Sequence, residues 1–126
     1  MGSPPQAAKN GIALFNRGCF FEAHEVLEDV WRAAPESEKK FWQGLVQVTV
    51  GFHHYSTGNR IGAQSLLARA TQNLRTYPAQ FCGIRLSPLL GLLAEWQKAL
   101  QEGRTELPPP VIQFFEEAGF DQMADI

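Results

Sequence analysis

One short segment of the chain carries side chains that could act together chemically. It spans residues 20–31 and reads Phe-Phe-Glu-Ala-His-Glu-Val-Leu-Glu-Asp-Val-Trp, which places His24 four positions before Glu28. On a helix these two residues lie on the same side, so an imidazole and a carboxylate could share a metal ion. The spacing resembles the zinc-hydrolase pattern His-Glu-x-x-His, with Glu28 standing where the second histidine would be.

A second polar stripe lies on the next predicted helix. Gln43, Gln47 and His54 fall on one side of a segment that is otherwise apolar. A buried amide or imidazole without a partner costs about 1–3 kcal/mol, so we expect this stripe to meet His24 and Glu28. The predicted site is His24, Glu28 and His54, with Gln43 or Gln47 holding a water. Two imidazoles and a carboxylate suit zinc or another divalent transition metal.

Several interpretations of this pattern stay open. His53 points about a quarter-turn from His54 and replaces it as a ligand if the phase of the helix differs. The polar groups could instead form a structural network that sets the helix register, or line a pocket for an organic ligand. A metal site could serve a hydrolase, with Glu25 or Glu28 as the base, although Glu25 is predicted to face solvent. A helical module that holds a partner protein is the alternative to an enzyme.

Helices must position these residues, because apolar side chains recur with helical spacing and no stretch alternates convincingly with period two. Five helices are predicted, at approximately 5–17, 20–34, 36–57, 59–77 and 87–102. In the second, Trp31 belongs to the predicted core face. The third is apolar almost all round, which is typical of a central helix, and Gly44 and Gly51 on one side would allow a neighbour to approach closely. Asn59 and Ser87 are the expected N-caps of the last two helices.

The predicted fold class is all-α: a compact bundle of five to six helices built from helical hairpins. The segments 18–23 and 58–63 place Gly and Ala at matching positions forty residues apart, a faint likeness to tetratricopeptide hairpins. We predict a bundle over 1–103 and a Pro-rich tail over 104–126 that belongs to the same domain. A short docking helix is expected in that tail, on its apolar residues Val111, Ile112, Phe114, Phe115 and Phe120.

Composition limits the classes of function. The chain has 126 residues, 44% of them hydrophobic, enough for one domain with a core. A net charge of −2 argues against nucleic acid or anionic lipid as a partner, although no Asp or Glu occurs between Glu38 and Glu95. Cys19 and Cys82 are too few for a disulfide framework and are expected to act as small hydrophobes. No secretory signal or membrane span is predicted, so we expect a cytoplasmic protein, with a protein partner or self-association left open.

The run from Leu14 to Trp31 resembles the hallmark of the domain-of-unknown-function 309 family of small bacterial and archaeal proteins. The family signature His-x-x-x-Glu-x-x-Trp or Tyr corresponds to His24, Glu28 and Trp31. Further blocks agree at 43–47, 58–63 and 83–86, although Arg85 stands where the family often has Asp. The resemblance spans roughly residues 10–100. It implies an all-helical bundle and carries a suggestion that the signature residues bind metal, with no established activity.

Overall fold

The computed structural model describes residues 4–104 and 107–115, and five helices account for most of them. They are α1 (Gln6–Asn16), α2 (Phe20–Ala33), α3 (Lys39–Ser56), α4 (Arg60–Leu74) and α5 (Leu86–Glu102). A 3₁₀ turn at Glu36–Glu38 precedes α3, and the two-residue strands β1 (Gln80–Phe81) and β2 (Ile84–Arg85) form a small antiparallel hairpin before α5. The predicted all-α class is therefore confirmed, and the hairpin is an addition to it.

Helices that follow each other in the chain pack against each other, with α3 between α2 and α4. The predicted close approach at the glycines of α3 is confirmed. A Cβ added to Gly44 would lie 2.7 Å from Leu74 Cγ, and one added to Gly51 would lie 2.9 Å from Leu67 Cδ2. Real Cβ atoms do not come that close to other heavy atoms, so α4 can pack where it does because both positions lack a side chain.

The two turns that resemble each other in sequence are also alike in structure. Gly18 ends α1 with a φ of 84° and Gly58 ends α3 with a φ of 88°, a conformation that glycine adopts without strain. In the first turn the Cys19 N–H donates to the Leu14 carbonyl at 2.9 Å. In the second the Asn59 N–H donates to the His54 carbonyl at 2.8 Å. Each turn thus closes a helical hairpin in the same way.

The starts of α4 and α5 use different caps. Asn59 caps α4 as predicted, because its Oδ1 accepts a hydrogen bond of 2.9 Å from the Gly62 N–H. The prediction that Ser87 caps α5 is wrong: the helix begins at Leu86, and the N–H groups of Leu86 and Ser87 donate to the Ala79 carbonyl. The β-hairpin brings that carbonyl to the helix end, through a turn in which both central residues, Cys82 and Gly83, have positive φ.

The C-terminal tail lies against the bundle as an extended segment over residues 107–115. Its Ile112 side chain is 1% exposed, and Phe114 forms an antiparallel bridge with Ile84. The docking helix expected in the tail is absent from 107–115, because the backbone there pairs with β2 and with the Asn16 side chain instead of with itself. Phe120 and the other residues of 116–126 lie outside the described part of the chain.

Across residues 4–104 and 107–115, none of the helices combines the length and the apolar character that crossing a membrane requires. Cys19 and Cys82 are both free thiols.

Candidate functional site

His24 and Glu28 lie together at the edge of the buried face of α2. Their neighbours Ala23, Leu27 and Val30 are buried, which fixes the rotation of the helix and leaves the pair facing partly outward. His24 Nε2 is 3.6 Å from Glu28 Oε1, and the two side chains are 27% and 30% exposed. The pairing predicted from the four-residue spacing is therefore present, in a position that solvent or a ligand can reach.

Arg32 extends this pair by one further helical turn. Its Nη2 lies 3.5 Å from Glu28 Oε1, and its Nη1 donates to Asp29 Oδ1 at 3.3 Å. The Glu28 carboxylate is thus flanked by an imidazole and a guanidinium from its own helix. Surface ion pairs contribute about 0–1 kcal/mol each, so these pairs add little to the stability of the chain.

An exposed aromatic side chain connects this pair to α3. The Phe21 ring centroid is 5.9 Å from that of His24 and 5.6 Å from that of His53. Phe21 itself is 52% exposed. We call the surface formed by Phe21, His24, Glu28 and His53 the α2 patch.

The structure does not bring His54 to His24 and Glu28. His54 Nδ1 is 3.1 Å from the side-chain nitrogen of Asn59, the residue that caps α4. Of the two consecutive histidines, it is therefore His53 that approaches α2, the position that the sequence offered as the substitute. Among the described residues, no three His, Cys, Asp or Glu side chains are grouped so that they could hold a metal ion.

Within the described residues, Gln47 of the glutamine stripe of α3 hydrogen-bonds to α4 and not to α2. Gln47 Oε1 accepts a hydrogen bond of 2.8 Å from the side-chain amide of Asn73, which lies on α4. Gln43, one turn earlier, is half-buried. Gly44 and Gly51 lie close to this stripe around the helix and contact Leu74 and Leu67 of α4. Close packing of α4 on the glycines thus carries the Gln47 amide toward α4, and the polar partner expected from α2 comes from α4.

Trp31 is half-buried and packs against the core, as its place on the predicted core face implies. Its main-chain carbonyl and that of Arg32 accept hydrogen bonds from Lys39 Nζ at 2.9 and 2.8 Å. An ammonium group at this point satisfies carbonyls at the C-terminal end of α2 and opposes the negative end of its dipole. Lys39 therefore anchors the end of the helix that carries the site, with the Trp31 main-chain carbonyl as one of its two acceptors.

A second titratable cluster lies beside the β-hairpin. Burial of the Cys82 thiol, together with the charge of Glu38 and a hydrogen bond to its carboxylate, raises the pKa of Cys82 from 9.0 to about 12. Glu38 also accepts a hydrogen bond of 3.0 Å from the Trp42 indole N–H. Cys82 packs against the core as a protonated thiol, in line with its interpretation as a small hydrophobe.

Asn16 and the groove near it are functional features that the sequence pattern does not predict. The Asn16 amide donates to the Ile112 carbonyl and accepts from the Ile112 N–H, across 96 positions of sequence. Beside it an open groove of about 530 Å³ is lined by Phe15, Phe20, Phe52, Tyr55 and Trp96, together with Pro109 and Pro110 of the tail. In the sequence, the feature that could have indicated this role is the Asn16 amide at the end of α1, which lies near several aromatic residues.

A family of known proteins matches part of the chain. Residues 8–66 match the family model described as Domain of unknown function (DUF309). The match includes α1 from Ala8 onward, all of α2 and α3, and hence every residue of the α2 patch. The resemblance predicted from the motif around His24 is thereby confirmed for this segment.

Two curated proteins are similar to the chain. An uncharacterized protein of Aquifex aeolicus (strain VF5) is 32% identical over 88 residues, which cover 69% of this chain and 26% of that protein. The uncharacterized protein YpuF of Bacillus subtilis (strain 168) is 35% identical over 57 residues, covering 44% of this chain and 33% of that protein. The chain thus spans between about a quarter and a third of the length of these relatives, and neither description states an activity.

Proposed function

We propose that this chain, whose residues 8–66 carry the domain of unknown function 309, is a binding module that holds a partner protein at the α2 patch. The observation that carries the proposal is Phe21, a large aromatic side chain that is 52% exposed and has two imidazoles as neighbours. Exposed aromatic groups surrounded by polar side chains are typical of the residues that dominate binding energy at protein interfaces.

The contacts of the signature residues support recognition over a structural role. In the described part of the chain, the ion pairs of Glu28 go to His24 and Arg32, and all three residues lie on α2. A network that sets the register between helices would have to join two of them, as the Gln47–Asn73 hydrogen bond does for α3 and α4. The pair His24–Glu28 leaves its remaining hydrogen-bonding capacity to solvent or to a partner.

Charge around the α2 patch suggests the chemistry of the partner surface. Glu22, Glu25 and Asp29 are exposed on α2, whereas Arg32 is the basic residue in its last turn. An acidic surface of this kind favours a partner that presents Lys or Arg around an apolar pocket for Phe21. Association should accordingly weaken as salt is raised, because rim charges act mainly on the rate of encounter. We place this activity in the cytoplasm.

The proposal can be tested by site-specific photo-crosslinking in the native host. A photoreactive amino acid replaces Phe21 in one variant and Ile61 in a matched control, since Ile61 is 80% exposed on α4. We expect a discrete crosslinked protein from position 21, weakened when His24→Ala or Glu28→Gln is added. Equal crosslinking from positions 21 and 61, or crosslinking from position 21 that both substitutions leave unchanged, would contradict the proposal.

A divalent transition metal at His24 and Glu28 is the second candidate, favoured by the 3.6 Å approach of His24 Nε2 to Glu28 Oε1. Zinc sites in proteins take three or four protein ligands. The described residues supply two beside each other, and Arg32 competes for the carboxylate. The fit is therefore incomplete, and a metal bound here would need a ligand from outside the patch. Hydrolysis by a metal-activated water rests on the same metal.

Metal content decides this candidate. Protein purified without a histidine tag is analysed for bound metal and melted with and without equimolar zinc. A metal site at His24 predicts a zinc-dependent rise in Tm that His24→Ala abolishes and His54→Ala retains, since His54 contacts Asn59. No stoichiometric metal and no shift in Tm would reject both the metal site and the hydrolase that depends on it.

A further inference from the structure

The backbone of the tail segment 112–115 is hydrogen-bonded to Asn16 and to the β-hairpin. Asn16 Nδ2 donates to the Ile112 carbonyl at 3.0 Å, and the Ile112 N–H donates to Asn16 Oδ1 at 2.8 Å. On the β-hairpin, the Arg85 N–H donates to the Gln113 carbonyl at 2.8 Å, and the Phe115 N–H donates to the Gly83 carbonyl at 2.7 Å. Each of these four hydrogen bonds uses main-chain atoms of the tail, so any extended peptide could form them.

The side chains of residues 110–115 add selectivity. Ile112 is 1% exposed and Pro110 is buried, whereas Val111 between them is 42% exposed. This alternation is that of an extended strand with one face against a protein surface. At the end of the segment the Arg85 guanidinium carbon lies 5.6 Å from the centroid of the Phe115 ring. Phe114 packs against the core on the same face as Ile112, so the occupied positions define the pattern Pro-x-Ile-x-Phe-Phe.

Two prolines of the tail line the same cavity as the aromatic side chains. Pro109 and Pro110 border the cavity of about 530 Å³ that Phe20, Tyr55 and Trp96 help to line. Tyr55 and Trp96 pack edge to face, with ring centroids 5.1 Å apart. Surfaces with aromatic rings beside an extended proline segment are a recurrent means of peptide recognition, because proline is already restricted to the bound backbone conformation.

We propose that Asn16, the Gly83–Arg85 edge and the aromatic groove form a peptide acceptor for an extended Pro-x-Ile-x-Phe-Phe segment of a partner protein, and that residues 107–115 occupy it in cis. The seated tail is the template for that occupant: main-chain hydrogen bonds give affinity, and the buried Ile112 position gives selectivity. The tethered tail competes at a local concentration in the millimolar range, so a partner binds when the tail is released. This acceptor is separate from the α2 patch, and it can exist whether or not that patch binds a partner.

The test uses the full chain with Ile112→Asp, which removes the buried anchor of the tail while leaving the acceptor intact. A fluorescent peptide of residues 107–115 is titrated into this variant and into the wild type, and binding is followed by anisotropy. We expect saturable binding to the variant that is at least about tenfold tighter than to the wild type, where the tail competes. Adding Asn16→Ala should weaken binding by about tenfold or more, since two hydrogen bonds are lost.

Peptide variants supply the matched control. A peptide with V111D, at the position that faces solvent, should bind as the parent does, whereas one with I112D should not bind. Ile112→Ala in the full chain carries the same measurement if Ile112→Asp does not fold. Absence of saturable binding to a folded variant, or equal affinity for the two substituted peptides, would overturn the proposal. A dimer that forms by exchange of tails, measured by light scattering, would overturn it in favour of a second copy as the occupant.

Discussion

A Cβ atom at Gly44 would lie 2.7 Å from Leu74 Cγ, which makes the missing side chain of Gly44 a condition for the packing of α4 on α3. This contact belongs to the interface that also places Gln47 against Asn73 and so turns the glutamine stripe toward α4. The rotation of α3 that results also leaves His53, and not His54, near Phe21.

Gly44→Ala is predicted to destabilise the chain by about 1–3 kcal/mol, because Leu74 is fully buried and has little room to move away. Gly91→Ala is the matched control: Gly91 lies in α5 where an added methyl group would point into open space, and alanine is the better helix former by about 0.5–1 kcal/mol. Urea denaturation measures both free energies of unfolding. Equal effects of the two substitutions would contradict close packing at Gly44.

His24→Ala and Glu28→Gln should each change the free energy of unfolding by no more than about 0.5 kcal/mol, because surface ion pairs contribute little. The side chains are 27% and 30% exposed and their ion pairs lie within α2. Thermal or urea denaturation checks the prediction. A loss of about 2 kcal/mol or more from either substitution would instead identify the pair as part of the structural framework and weaken its assignment to binding.

Lys39→Met should destabilise α2 by about 1 kcal/mol, because Lys39 Nζ donates to the carbonyls of Trp31 and Arg32 at the helix end. Lys40→Met is the control, since Lys40 lies one position further along α3 and is exposed. Free energies of unfolding are compared for the two variants at low salt. The cap is refuted as a source of stability if Lys40→Met costs as much as Lys39→Met.

The stability of the chain is predicted to depend on Cys82 at alkaline pH. The folded state raises the pKa of Cys82 from 9.0 to about 12, so between these values the folded chain keeps a proton that the unfolded chain has lost. Stability from this group is therefore complete below pH 9 and falls as the pH rises toward 12. We expect the decline in unfolding free energy between pH 8 and 10.5 to be smaller in Cys19→Ala/Cys82→Ala than in Cys19→Ala.

Alkylation gives an independent measure of the same group. In Cys19→Ala, where Cys82 is the remaining thiol of the sequence, reaction with iodoacetamide at pH 8 should be slow in the folded chain and fast in urea. Glu38→Gln should accelerate the folded-state reaction, because the charge and the hydrogen bond that help to raise the pKa are removed or weakened. Fast alkylation of the folded parent would show that the thiolate is more accessible than the burial of Cys82 implies.

What could be predicted of the fold came from local signals. The hydrophobic periodicity, the Asn59 cap and the left-handed glycines at 18 and 58 act within a few residues, so the five helices and the turns between α1 and α2 and between α3 and α4 follow from the sequence. The β-hairpin was missed because its strands are two residues long, too short for an alternating pattern to show.

The candidate site likewise has one part that the sequence predicts and one part that it does not. The pairing of His24 with Glu28 follows from the sequence, because a four-residue spacing on one helix needs no second element. Helix packing selects which of two consecutive histidines lies beside Phe21 of α2, since one residue corresponds to a rotation of about 100° and the packing of α4 on Gly44 and Gly51 sets the rotation of α3. The contact of Asn16 with Ile112, 96 positions apart, likewise exists because the folded bundle and β2 present a surface that an extended tail can pair with.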